Sequence, residues 1–183
     1  MNEPLTTKEK LLIAARDLFW TRGYSNVSVR DITRAAGVDA ALVSRYFGGK
    51  KALFEATLEQ INGWEALQAE PDQILSAAVE SFSHPYDPKA DTSNPFIMLI
   101  TNVIDPIMGD TIRQLVHDEM ACPLADKLGS KHKETQAALL LSVLFGVALM
   151  RKNFQIEPLK TMSRDALIEH TIHLGHAALS YKN

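Results

Sequence analysis

The chain has 183 residues, of which 46% are hydrophobic and 22% are charged, a composition typical of a soluble globular protein with a buried core. Its single cysteine, Cys122, excludes an intramolecular disulfide and is compatible with a reducing compartment. The first residues, MNEPLTTKEK, contain no apolar stretch like that of a signal peptide, so we expect a cytoplasmic protein.

The charge is divided unevenly along the chain. Residues 1–55 contain nine Lys and Arg against six Asp and Glu, an excess of three positive charges, whereas the remainder has an excess of six negative charges. A protein that binds DNA needs positive charge where it meets the phosphates. The N-terminal third is therefore the part of the chain predicted to bind nucleic acid.

Apolar residues at helical spacing predict a first helix from about Thr6 to Arg22. Thr6 and Glu9 fit a capping box, in which each side chain accepts a hydrogen bond from the other residue's backbone N–H. Gly23 is placed to end the helix. The predicted buried face consists of Leu11, Leu12, Ala15, Leu18 and Phe19.

Residues 28–47, SVRDITRAAGVDAALVSRYF, are predicted to form two short helices joined by a tight turn. Ser28 and Asp31 fit a second capping box, and Gly37 supplies the left-handed residue that ends the first of these helices. Asp39 is placed to cap the second helix. Two capped helices joined by a turn with glycine are typical of a helix-turn-helix motif, whose second helix enters the DNA major groove.

Helical patterns continue to the C-terminal end and are separated by polar or proline-containing segments. Because proline cannot donate a backbone hydrogen bond, Pro123 is expected to kink or split the helix that contains it, near Cys122. The predicted helices cover residues 50–69, 71–83, 95–104, 109–128, 133–153 and 163–181, with a loop at 84–94.

Residues 137–150, AALLLSVLFGVALM, form an uncharged run of fourteen, shorter than the roughly twenty that span a bilayer, so no membrane partner is predicted. A helix that is apolar on all sides must be buried on all sides. We therefore predict that this helix and the last one form a homodimer interface with their symmetry mates; the alternative is a buried hairpin within one subunit. The small residues that permit close approach there are Gly146, Ala148, Gly175 and Ala178.

The N-terminal residues resemble the tetracycline-repressor (TetR/AcrR) family of bacterial transcription regulators over about residues 5–65. The resemblance is carried in a fixed register by Leu12–Ala15, Leu18–Phe19, Arg22–Tyr24, Val29–Ile32, Ala35–Val38, Tyr46–Phe47, Lys50 and Leu53. It implies an all-α fold of about nine helices that dimerises through the last two. It also implies a three-helix DNA-binding domain at 5–65, with its motif at 28–47, and a C-terminal helical bundle at 66–183 for ligand binding and dimerisation.

The resemblance places DNA contacts on the two motif helices and at the start of the fourth helix. Arg30 matches a position that contacts DNA in relatives, Tyr46 matches one that contacts the backbone, and Lys50 matches a phosphate-binding lysine. Relatives often have Ser or Thr in place of Asp39 and an aromatic in place of Ser44. The predicted DNA-binding residues are Ser28, Arg30, Ala40, Ala41, Ser44, Arg45, Tyr46 and Lys50.

Family members resemble one another in having an effector pocket in the C-terminal domain. Pockets are mostly apolar with a few polar groups, which is also true of an ordinary core, so composition alone does not distinguish the two. The candidate lining residues for a small apolar effector are Trp64, Phe82, Phe96, Met98, Met108, Ile112 and Val116, with Asn102 and His117 as polar groups that orient it.

No metal and no cofactor are predicted. His170, His173 and His176 follow one another in steps of three and fan around the helix, whereas paired zinc-binding histidines on one helix are usually four residues apart. A Gly-rich phosphate loop, a metal-binding pair and a nucleophile elbow are all missing from the sequence, so an enzyme is not expected.

The leading hypothesis is a homodimeric repressor that binds an inverted-repeat DNA operator and is released by a small apolar ligand. A second hypothesis keeps the DNA binding and replaces the ligand by a protein partner that controls the regulator. Thermal shift with apolar compounds distinguishes the two, because a ligand that binds the folded state raises the melting temperature.

Overall fold

The computed structural model describes residues 4–61, 69, 73–83 and 95–182, and all regular structure in these ranges is helical. The helices are α1 (Thr7–Arg22), α2 (Val29–Ala36), α3 (Ala41–Phe47), α4 (Lys50–Leu58), α5 (Ile74–Ser83), α6 (Pro95–Asn102), α7 (Gly109–Val116), α8 (Cys122–Leu128), α9 (Lys133–Ala148) and α10 (Arg164–Leu179). One π-turn, His117–Ala121, joins α7 to α8, and another, Leu149–Asn153, continues α9. With α7 and α8 counted as one continuous helix, the described residues contain nine helices, which confirms the predicted all-α fold.

Local sequence determines how α1 begins and ends. Glu9 Oε2 accepts the backbone N–H of Thr6 at 2.7 Å, and Thr6 Oγ1 accepts that of Glu9 at 3.3 Å, which confirms the predicted capping box. Gly23 follows the helix with a φ of 84°, in the region that glycine adopts without strain.

The chain forms two compact units. The first unit comprises Met1–Asn62 and Pro88–Arg113, and the second comprises Gly63–Asp87 and Gln114–Asn183. Within the first unit α6 packs against α1, which groups α6 with the helices predicted to bind DNA. The predicted functional boundary between residues 65 and 66 stays a prediction.

The core of the first unit is a group of aromatic side chains. The ring centres of Phe19, Tyr24 and Phe54 lie 5.3–5.6 Å from one another. Trp20 is buried beside them and donates its indole N–H to Thr57 Oγ1 at 3.2 Å, so its one polar atom is satisfied. This cluster fixes α1 against α4.

The second unit is a bundle in which α9 packs against α5, α8 and α10. Gln136 Nε2 donates to the carbonyl oxygen of Leu179 at 2.6 Å and so ties the start of α9 to the end of α10. Leu140, Leu144 and Leu167 are buried between the helices.

Pro123 replaces one α-helical turn by a wider π-turn, His117–Ala121, between α7 and α8. Proline has no N–H to donate, and its ring crowds the carbonyl four residues earlier, so an ordinary α-helical turn is disfavoured there. The N–H of Cys122 bonds instead to the carbonyl of His117, five residues earlier. The predicted break near Cys122 is confirmed.

Two expectations from the sequence are corrected. α4 ends at Leu58, before the predicted end at residue 69, and Asn62 and Gly63 weaken the helical tendency of the sequence that follows. Ala148, Gly175 and Ala178 are buried within their own unit and so do not line an outer surface. A Cβ on Gly175 would collide with Leu75 of α5, because α5 and α10 approach each other closely at this glycine.

The apolar stretch Lys133–Asn153 has 21 residues and a window of mean hydropathy 1.4, so in the described part of the chain it is the one helix long and apolar enough to cross a membrane. Core helices of soluble proteins meet the same criteria. Within the second unit this stretch packs on α5, α8 and α10, and 33% of its apolar window is buried.

Candidate nucleic-acid interface

The turn between α2 and α3 has the geometry that its sequence predicts. Ser28 Oγ accepts the N–H of Asp31 at 3.2 Å, and Asp31 Oδ2 accepts the N–H of Ser28 at 2.9 Å. Gly37 adopts the left-handed conformation with a φ of 67° and ends α2. Asp39 Oδ1 then accepts the N–H of Ala41 at 2.7 Å, which is the predicted cap on α3.

α3 has one buried side and one exposed side. Val43 is 1% exposed and anchors the helix to the first unit, and α3 packs on α4. The remaining side chains leave a continuous outer face that a DNA major groove can accept. All five predicted contact residues of this helix and its cap are exposed: Ala40, Ala41, Ser44, Arg45 and Tyr46.

At the start of α2, Arg30 is exposed and Ser28 is committed to the cap. The Ser28 hydroxyl lies 2.5 Å from Asp31 Oδ2 and donates its one proton there. A hydrogen bond from Ser28 to a phosphate would therefore require this contact to break, whereas Arg30 is free to reach a base edge or a phosphate.

Lys50 lies at the start of α4 with its ammonium against the Tyr24 ring. Its Nζ is 4.0 Å from the ring centre, the distance of a cation–π contact, and 6.0 Å from that of Phe19. Burial lowers the pKa of Lys50, and the negative charge of Asp105 partly offsets this. The side chain of Lys50 is half-buried, so a phosphate can approach its ammonium group only from the solvent side.

Asn102 and Asp105 are two functional candidates in the first unit. Their position next to the DNA-binding helices was not predicted from the sequence. Asn102 is fully buried, accepts the N–H of Tyr24 at 2.8 Å, and donates to the carbonyl oxygens of Phe19 and Met98 at 3.1 and 3.0 Å. Asp105 Oδ2 accepts the N–H of Ser25 at 2.9 Å. Because Phe19, Tyr24 and Ser25 lie 78–83 residues away in sequence from Asn102 and Asp105, no local pattern could reveal these contacts.

Comparison with known proteins agrees with this geometry. Residues 11–57 match the model of bacterial regulatory proteins of the tetR family, and residues 72–174 match that of the tetracyclin repressor-like C-terminal domain. The chain belongs to the TetR family. Its helix-turn-helix motif lies in the part that matches the model of these bacterial regulatory proteins.

Several named regulators are similar to this TetR-family chain. It is 31% identical over 94 residues to the probable HTH-type transcriptional regulator YttP of Bacillus subtilis, covering 45% of each protein, and 36% identical over 85 residues to BetI of Brucella canis, covering 46% of this chain and 39% of BetI. The chain thus spans less than half the length of these relatives. It is 25% identical over 185 residues to the transcriptional activator FasR of Mycolicibacterium smegmatis, covering 94% of this chain and 82% of FasR.

Solved structures of TetR regulators share the fold. A TetR-family regulator from Streptomyces coelicolor is 26% identical, with a TM-score of 0.59 over 96% of this chain and 95% of its own. A TetR-like regulator from Rhodococcus has a TM-score of 0.69 over the full length of both chains at 22% identity, which shows the fold alone.

The predicted effector-binding residues of this TetR regulator fall in different parts of the chain. Trp64 and the Phe82 side chain lie outside the described residues. Val116 and His117 belong to the second unit, where His117 is exposed and bonds Asp118 at 2.9 Å. Those that lie in the first unit are buried there: Phe96, Met98, Asn102, Met108 and Ile112.

The burial of Asn102 has an explanation that needs no ligand. Its two amide N–H groups are both donated to backbone carbonyls, and its oxygen accepts a backbone N–H. Such a fully satisfied amide is a stable part of a core. The role of Asn102 in effector binding stays a prediction. Its contacts in the structure are those of a core residue that links α6 to α1.

The three C-terminal histidines, His170, His173 and His176, are all exposed on α10. Within the described ranges, no group of three or more His, Cys, Asp or Glu side chains is arranged to hold a metal ion. The TetR fold therefore presents these histidines as surface residues of the second unit.

Replacing Ser28 by alanine should weaken the start of α2. Loss of an N-cap costs about 1 kcal/mol, or roughly 2–4 °C in melting temperature for a chain of this size. The hydrogen bonds from the Ser28 side chain and backbone lower the pKa of Asp31 below 3.8, so the pKa should rise toward that value in Ser28→Ala. Thermal melting and an NMR pH titration measure the two effects.

The sign of the pH dependence follows from this lowered pKa. The folded pKa of Asp31 is below the unfolded one, so the cap stabilises the protein above the unfolded value and loses that effect as the pH falls through the folded value. Thr21→Ala removes an exposed hydroxyl bonded within α1 and serves as the control with no cap. Equal melting temperatures for the two variants would contradict the role of the cap.

Proposed function

We propose that this TetR-family regulator is a homodimeric repressor that binds an inverted-repeat operator and is released by a small apolar ligand. The observation that carries the DNA-binding part is the exposed outer face of α3, held between the Asp39 cap and the buried Val43. Arg45 is the longest donor on that face, and its guanidinium carbon lies 5.9 Å from the centre of the Tyr46 ring. Arginine reads guanine through two hydrogen bonds, so Arg45 is proposed as the main base-reading residue.

The proposed dimer forms through the outer faces of α9 and α10. Leu139 of α9 is 39% exposed, Met150 just after α9 is 36% exposed, and Leu174 of α10 is 48% exposed. A Cβ on Gly146 would meet no atom within 4 Å, which leaves room for a helix of a second subunit. Together these residues support a four-helix interface between two copies.

The proposed effector rests on the family match of residues 72–174, whose model describes a tetracyclin repressor-like C-terminal domain. A cavity bounded by described residues of the second unit, among them Ser83 and Thr171, has a volume of about 10 Å³ and holds at most one water. The effector site is therefore proposed from the family and not from that cavity. We also propose that the protein acts in the cytoplasm, where its DNA is.

Activation is the second candidate function. FasR, which is similar over 94% of this chain, is named an activator, whereas NalD of Pseudomonas aeruginosa, a structural neighbour at 16% identity, is named a repressor of a multidrug efflux pump. A promoter reporter that carries the operator separates the two roles, because a repressor lowers its output and an activator raises it.

The test of the proposed function is selection of bound duplexes from a random DNA pool with the purified protein. Recovery of one inverted repeat is expected, because a two-fold dimer reads two half-sites. Recovery of a single unrepeated site would contradict the dimeric mode, and recovery of unrelated sequences would contradict specific recognition. Thermal shift with apolar compounds then tests for the effector, and a regulator under control of a protein partner would show none.

Replacing Arg45 by alanine should reduce affinity for the selected operator about 10- to 100-fold and relax the preference at one base pair of each half-site. Arg34→Ala is the matched control, since Arg34 is equally exposed in the last turn of α2 and is not among the predicted contacts. Fluorescence anisotropy on operator and single-base variants measures both properties. A uniform loss across all sequences would reassign Arg45 to a phosphate.

A further inference from the structure

The segment between α1 and α2 is held at two consecutive residues by the end of α6 and the turn after it. The N–H of Tyr24 bonds Asn102, and the N–H of Ser25 bonds Asp105. We call Asn102 and Asp105 the α6 clasp. All of these residues lie in the first unit.

The polar groups of the clasp have their hydrogen bonds made. Such bonds fix the backbone of Tyr24 and Ser25 more tightly than apolar contact alone would. Asn102 is 0% exposed and uses both amide N–H groups and its oxygen on backbone atoms. Burial opposes ionisation of the Asp105 carboxyl, but hydrogen bonds from Met108, Ser25 and Ile107 outweigh it and hold the pKa of this carboxyl below its usual value. Asp105 is therefore a carboxylate at neutral pH.

Tyr24 and Ser25 lie close to both helix starts that carry predicted DNA contacts, that of α2 with Arg30 and that of α4 with Lys50. Ser25 is three residues before the Ser28 cap of α2, which carries Arg30. The ring of Tyr24 lies under the Lys50 ammonium at 4.0 Å and contacts the Phe54 ring of α4. A shift of Tyr24 and Ser25 thus moves the starts of α2 and α4 together.

We propose that Asn102 and Asp105 are positioning residues for operator binding, which set the starts of α2 and α4 by holding the backbone of Tyr24 and Ser25. The proposal rests on the proposed DNA-binding function and adds two residues outside the helix-turn-helix that support it. Neither residue contacts DNA in this scheme.

Asp105→Asn tests this inference through the sign of its effect. The single carbonyl oxygen of asparagine can accept either the N–H of Ser25 or those of Ile107 and Met108, and it keeps more hydrogen bonds in the second orientation. Its amide nitrogen then faces Ser25, so the contact with Ser25 is lost. Removal of a negative charge near DNA should by itself strengthen binding. The clasp predicts the reverse, a loss of affinity of about tenfold, the size expected when one hydrogen bond to a carboxylate is lost.

Asp110→Asn is the matched control, because it removes the same charge in the same segment from a carboxylate that pairs with Arg113 and not with Ser25. Its operator affinity should stay within about twofold of the wild type or rise. Equal or tighter binding by Asp105→Asn than by Asp110→Asn, with wild-type binding intact, overturns the inference. Absence of wild-type binding instead refutes the proposed function.

Asn102→Leu removes all three hydrogen bonds of the amide at similar volume. Its control is Thr57→Val, which removes two other buried hydrogen bonds of the first unit, those with Trp20 and Phe54. At a temperature where both variants are folded, Asn102→Leu should bind the operator about tenfold more weakly than Thr57→Val. Equal affinities would reduce Asn102 to a purely structural residue.

Amide hydrogen exchange tests the clasp without DNA. The Tyr24 and Ser25 amides should exchange slowly in the wild type, and that of Ser25 should exchange faster in Asp105→Asn but not in Asp110→Asn. Unchanged exchange at Ser25 would overturn the clasp whether or not Asn102→Leu folds and whether or not an operator has been found.

Discussion

Leu174→Glu should convert the protein into monomers and reduce its affinity for a two-half-site operator by at least about 100-fold. The side chain of Leu174 is 48% exposed on the outer face of α10, and in the proposed dimer it lies in an apolar four-helix interface. A glutamate there buries an uncompensated charge in each of two symmetry-related positions. The monomer then binds one half-site and loses the gain of about 10²–10⁴ from joining two.

Sedimentation equilibrium measures the first part of this expectation and operator titration the second. Ile104→Glu is the matched control, since Ile104 is 85% exposed in the first unit and lies outside the proposed interface. That variant should remain dimeric. A dimeric Leu174→Glu would show that α10 does not form the interface, and a monomeric one with full operator affinity would show that dimerisation is unnecessary for binding.

The parts of the fold that sequence predicted are those that local chemistry determines. Ser28 with Asp31 and Thr6 with Glu9 form capping boxes because each pair is three residues apart, which fixes its geometry within one turn. The break at Pro123 follows in the same way from a missing N–H. These features needed no knowledge of the rest of the chain.

The features that sequence missed depend on contacts between distant segments. Asn102 is predicted to orient an effector, and its hydrogen bonds to Phe19 and Tyr24 could not be predicted, because a polar residue in an apolar helix suits a pocket and a core equally well. Gly175 is compatible with a dimer interface from its sequence alone, but its close approach to Leu75 places it inside its own unit. Lys50 was predicted to face a phosphate, and the ring of Tyr24, 26 residues earlier, determines how much of it is exposed.

Phe54→Ala should lower the free energy of unfolding of the first unit by about 3–5 kcal/mol. The Phe54 ring is fully buried and stands edge-on to those of Phe19 and Tyr24, at 5.3 and 5.4 Å. Its removal leaves a cavity at the junction of α1 and α4, and the rings of Phe19 and Tyr24 lose their edge contacts with Phe54. Since a whole domain is stable by only about 5–15 kcal/mol, the melting temperature of this unit should fall by about 10 °C or more.

Phe54→Leu separates the cavity from the ring contacts, because leucine fills most of the volume and keeps no aromatic edge. Its cost should be smaller, about 1–2 kcal/mol. Calorimetry gives the melting temperatures, and the fluorescence of the buried Trp20 follows the same unit. If Phe54→Ala melted within 2–3 °C of the wild type, the aromatic cluster would not be what holds α4 to α1. The position of Lys50 at the start of α4 would then need another support, since Tyr24 is held between Phe19 and Phe54.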